Sequence, residues 1–167
     1  MKLSELKDFS ARLRTEKDPA HDFTHIERII EMCRAIAPPE TDINLVLESA
    51  YFHGLLREEA SIRNFLSSLG FEDSRIESMM RTVGNSSSNA EPKAVEAKVL
   101  HDANVLDALG AIGIARAFTK GGYERQTINQ TMEIIKKNTK RDLCTPMGRK
   151  MGEQRKRFVR KFLKRLE

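Results

Sequence analysis

At 167 residues, 40% hydrophobic and 32% charged, the chain is long enough for one domain with a real core and too short for two comfortable ones. No apolar run approaches the ~20 residues of a membrane span, and the opening MKLSELKDFSARL alternates charged with apolar residues, unlike a signal peptide. Membranes are thereby excluded as partners, the cytoplasm is the expected location, and the net charge of +5, mostly from the C-terminal end, reads as a solvated surface.

Helical periodicity runs through nearly the whole chain, and no stretch alternates as a strand does. Leu3, Leu6, Phe9 and Leu13 mark one face of a first helix, about 2–14. A second, about 22–37, stops at Pro38-Pro39. A third starts at Asp42, a plausible cap, and carries ESAYFHGLL, Glu48 to Leu56. Helices at about 59–69 and 73–83 end at Gly70 and Gly84, and GNSSSNAEP, 84–92, is a polar loop. The next runs from about 93 to Leu109, followed by one at about 111–119 closed by Gly121-Gly122 and one at about 127–140. Thr145-Pro146, a cap with Pro at the first turn, opens the last helix. The expectation is an all-α, single-domain helical bundle over 1–167, with its core at about 18–145 and a basic amphipathic helix, about 146–166, closing it.

Polar residues interrupt three apolar stripes. Asp102 falls between Val99 and Leu106, on a stripe that also holds Val95 and Leu109. His53 shares a face with Val46, Ala50 and Leu56, and His25 with Ile29, Met32 and Ile36. An unpaired buried carboxylate is costly, so Asp102 needs a cation or several hydrogen bonds, which a helix N-terminus could also supply. Imidazole and carboxylate together suit a divalent metal such as Zn, Fe, Mn, Mg or Ni. The expected metal set is therefore His25, His53 and Asp102. Asp107 lies off the face of Asp102 and is expected to hold backbone or a cation. Cys33 reads as a buried free thiol, and Cys33 and Cys144 form no metal-type spacing.

The same segments resemble the HD superfamily of metal-dependent phosphohydrolases. HDFTHIERII (21–30) is similar to the segment carrying the first family ligand, at His25; AYFHGLL is similar to the run ending in the His-Asp pair. AKVLHDANVLDALGAIGIARAF (97–118) resembles the last-ligand segment, commonly Asp-Ala-Asp-Arg-Leu-Asp-Ala-Leu-Gly, which maps onto Asp102, Asn104, Val105 and Asp107. KKNTKRDLCTPMGRKMGEQRKRFVRKFLKRL resembles the closing helices of small stand-alone members. The departures fall on the chemistry. Gly54 stands where the pair has its Asp, and Asn104 and Val105 replace an acid and a base.

The resemblance implies hydrolysis of phosphate esters or nucleotides at a divalent metal, here weak or lost, with the metal weakly bound or absent. His21, Asp22 or Glu58 could substitute as a base, and Arg116 could contact a phosphate. A phosphorylated small molecule or nucleotide is the expected ligand, and a homodimer is compatible with the chain. Two alternatives stand beside this: a non-catalytic module for ligand binding or protein interaction, and nucleic-acid binding through the last helix. That helix carries nine Lys or Arg between Arg149 and Arg165 against the single acid Glu153. An apolar face of Met151, Phe158, Phe162 and Leu166, with Val159 and Leu163 beside it, reads instead as a closing helix with a solvated basic side, so nucleic acid is not the expected partner.

Overall fold

The computed structural model describes residues 2–14, 20, 22–87 and 89–166. Nine α-helices carry the fold, and the described residues contain no strand: α1 (Lys2–Arg12), α2 (Phe23–Ile36), α3 (Ile43–Ala50), α4 (Glu59–Ser68), α5 (Asp73–Gly84), α6 (Val95–Asp107), α7 (Gly110–Tyr123), α8 (Ile128–Asn138) and α9 (Pro146–Leu163). The architecture is all-α. Among the described residues no helix is long and apolar enough to cross a membrane.

Local chemistry sets the helix starts. Asp22 and Asp42 cap α2 and α3 by accepting from the amides of His25 and Leu45. Thr127 and Gln130 form a reciprocal capping box on α8, and Thr145 accepts from the Gly148 amide ahead of Pro146.

α6 is the axis of the molecule. It packs against α2, α3, α5, α7 and α9 and is apolar on nearly every side, as a helix surrounded by neighbours must be. Val99, Leu100, Ala103, Val105 and Leu106 join Ile29, Cys33 and Ile36 of α2 and Val46, Leu47 and Ala50 of α3 in the main core. A second cluster sets Leu6 of α1 against Phe52, Leu55, Ile62, Leu66 and Met79; a third packs Ile114, Ile135, Val159 and Leu163 from α7, α8 and α9. The buried face of α9 is narrower than its sequence stripe, because Phe158 and Leu166 remain half exposed.

The sequence reading placed His53 and Gly54 inside the third helix. In the structure α3 ends at Ala50, and residues 51–54 form a turn. Gly54 has φ +75°, a left-handed conformation that carries little cost for glycine. The glycine is therefore a turn residue, and no helix-interior penalty applies. A 3-10 turn at Leu56–Glu58 then leads into α4.

Candidate functional site

α2 and the 51–54 turn bring His25 and His53 together, with ring centroids 6.0 Å apart in an edge-to-face arrangement. Each ring is oriented from behind. His25 Nδ1 is 2.7 Å from Asp107 Oδ2, whose carboxylate accepts the proton. His53 Nδ1 is 3.0 Å from Ser86 Oγ, and the Ser86 hydroxyl donates to the Val83 carbonyl, so its oxygen accepts from the ring. Both hydrogen bonds put a ring proton on Nδ1.

Asp107 is the electrostatic centre of this region. It is 1% exposed and pairs with Arg28 Nε at 2.8 Å and with Arg116 Nη1 at 2.8 Å, besides His25. Burial alone would raise its carboxyl, but the hydrogen bonds from His25 and Arg28 and the charge on Arg116 outweigh that and hold it at about 2.

Arg14, 6% exposed, follows α1 and donates to the carbonyls of Tyr51 and His53 and to Ser10 Oγ. It thereby fastens the turn that carries His53. It meets no carboxylate among the described residues, and burial lowers its guanidinium to about 10.

These groups open on a cavity of about 560 Å³. Arg14, His25, His53, Gly54, Asn104, Arg116, Lys120 and Arg141 line it with several apolar side chains, and no carboxylate does so among the described residues. Burial lowers the Arg141 guanidinium as well.

The expected convergence of His25, His53 and Asp102 does not form. Asp102 is fully buried but does not line the cavity. Its carboxylate accepts from the Cys144 amide, the Thr145 amide (2.7 Å) and the Thr145 hydroxyl (2.8 Å), closing the start of α9. A stripe position specifies burial and not the neighbour, and here the neighbour is a helix N-terminus. Arg116 does reach the cavity, while its guanidinium holds Asp107 and the Ala20 carbonyl. Asp22 caps α2 and Glu58 is exposed in the 3-10 turn; neither lines the cavity. His21 lies outside the described residues.

Sequence reasoning passed over Arg14, Ser86, Lys120 and Arg141. Ser86 sits in a loop judged polar, yet it is fully buried behind His53. The signal available for Arg14 was a cation at the end of an amphipathic helix, which ordinarily means solvent.

Solved structures with the same architecture place the fold. An HD-superfamily hydrolase from Bacillus thuringiensis superposes with a TM-score of 0.79 at 22% identity, over 99% of this chain and 94% of that one. The fold is that of the HD superfamily. A predicted HD-superfamily hydrolase from an uncultured Thermotogales bacterium matches this HD fold with a TM-score of 0.71 at 26% identity, over 98% and 90% of the two chains. Bacillus subtilis YpgQ, an uncharacterised protein, is 24% identical over 186 residues, 98% of this chain and 91% of its own. Its crystal structure in complex with ADP superposes with a TM-score of 0.76 over 99% of this chain and 96% of that one. No family profile matches the sequence.

HD hydrolases generally use divalent metals, and the described cavity residues fit such an ion poorly. Two imidazoles and the Asn104 amide are neutral donors. They fall short of both the three-histidine and the two-histidine–carboxylate sets. Arg14, Arg116, Lys120 and Arg141, which line the same cavity, oppose a further positive charge.

Proposed function

We propose that this protein binds a phosphate-bearing small molecule, a nucleotide foremost, in the His25–His53 cavity, on an HD-hydrolase scaffold whose own hydrolytic activity is weak or lost. One observation carries the reading: four cationic side chains line the cavity and no described carboxylate does. A cation withdrawn from water with no carboxylate partner among the described residues, as Arg14 is, favours an anionic ligand. The cavity volume suits a small molecule, and the ADP complex of YpgQ makes a nucleotide the first ligand to try. Any divalent metal entering this cavity is held weakly, because Gly54 and Asn104 supply no charge to it.

Calorimetric titration in the presence of a chelator tests this. ADP and inorganic phosphate should bind and adenosine should not, with affinity falling as salt rises. Arg141→Ala should weaken ADP at least about tenfold, the loss of one charge-assisted contact. Absence of ADP binding at low salt, or binding indifferent to both salt and Arg141, would overturn the proposal. Rapid metal-dependent turnover of phosphate esters, abolished in His53→Ala, would replace it with an active hydrolase.

A further inference from the structure

We propose that His101, Asp102 and Cys144 form a second site, separate from the histidine cavity, for a divalent cation of the zinc class. One ligand atom from each residue lies within 4.8 Å of the other two. Nitrogen, oxygen and sulfur donors are the set that zinc takes. None of the three lines the His25–His53 cavity.

Two independent features prepare these residues for ligation. His101 Nδ1 is 2.8 Å from the Ser87 carbonyl, which can only accept, so the ring donates there and its lone pair sits on Nε2. Metal-bound imidazoles are held in this way, by a backbone carbonyl on the far nitrogen. Asp102 is held rigid by the Cys144 amide and the Thr145 amide and hydroxyl, and its carboxylate also takes a side-chain hydrogen bond from Cys144, the contact that a metal would replace. No cation pairs with it among the described residues. Cys144 is only partly buried, which leaves a route in from solvent.

Without metal, burial and then the charge of Asp102 push the Cys144 thiol up, so it carries its proton. Binding breaks the Sγ–H bond and forms a sulfur–metal bond, and the proton leaves to solvent. Thiolate and carboxylate then balance the two positive charges, and no electron is transferred. Three protein ligands leave a position for water. The ion would tie α6 to the start of α9 and, through His101, to the backbone at Ser87.

Cobalt(II) titration of chelator-treated protein, followed by displacement with zinc, tests the site. One equivalent should produce a thiolate-to-cobalt charge-transfer band that zinc removes. Cys144→Ser should abolish the band, His101→Gln should weaken binding about tenfold or more, and His53→Ala should leave both unchanged. No band at saturating cobalt, a band surviving in Cys144→Ser or lost in Cys33→Ser, or dependence on His53 in place of His101 would overturn the proposal. His101→Gln keeps the test open should Cys144→Ser fold poorly.

Discussion

At the scale of single residues, His25, His53 and Asp102 are all buried polar groups, and two of them share a cavity. His25 interrupts an apolar stripe of α2 and meets His53, which the 51–54 turn presents. Asp102 interrupts one too, but its donors lie 42 and 43 positions further along the chain, where no local pattern marks them. The same distance hid the approach of Cys144 to His101. The sequence reading sets Gly54 and Asn104 where the family pattern carries acids, and both line the cavity. A Cβ built on Gly54 meets nothing within 4 Å, and Asp is among the residues that best tolerate a positive φ. Gly54→Asp together with Asn104→Asp should therefore give the histidine cavity a divalent-ion affinity at least about tenfold above wild type, read by manganese titration of a Cys144→Ser background. The same pair of changes should weaken phosphate.

At the scale of elements, nearly every helix was recoverable from periodicity and punctuation, since caps, prolines and glycines act locally. Two departures are instructive: α7 runs through Gly121-Gly122 to Tyr123 in place of closing before them, and α3 ends early. α3 stops at Ala50 although the apolar spacing continues through Leu56; Gly54 takes a left-handed turn conformation, and Arg14 donates to the Tyr51 and His53 carbonyls that follow the helix. Gly54 is a stop signal within the segment, whereas the contact with Arg14 spans 37 and 39 positions and leaves no mark there. The junction of α6 and α9 shows how tightly such contacts are packed. A Cβ on Gly148 would lie 2.4 Å from Asp102 Oδ2 and 2.6 Å from Thr145 Oγ1. Gly148→Ala should destabilise the protein by roughly 1–3 kcal/mol through overpacking, where a solvent-facing helix position would gain from the same change. Urea unfolding of Gly148→Ala beside Gly122→Ala, whose new Cβ meets nothing within 4 Å, separates the two effects.

At the scale of the molecule, Asp107 couples three helices: its carboxylate on α6 holds His25 and Arg28 of α2 and Arg116 of α7. Its folded pKa of about 2 lies below the ordinary 3.8, so the stability it contributes is fully present above pH 4 and lost as pH falls through 2. The contribution is on the order of 2 kcal/mol. Urea midpoints measured between pH 6 and pH 2.5 should show wild type losing its advantage over Asp107→Asn across that window; a constant difference would mean the carboxylate titrates elsewhere.

The grip of Arg14 on the 51–54 turn makes the front of the chain a wall of the binding chamber. Trimming the protein ahead of residue 20 would take Leu6 out of the second core cluster and Arg14 out of the cavity lining at once. A shortened version would thus lose a piece of its core and the shape of its cavity together.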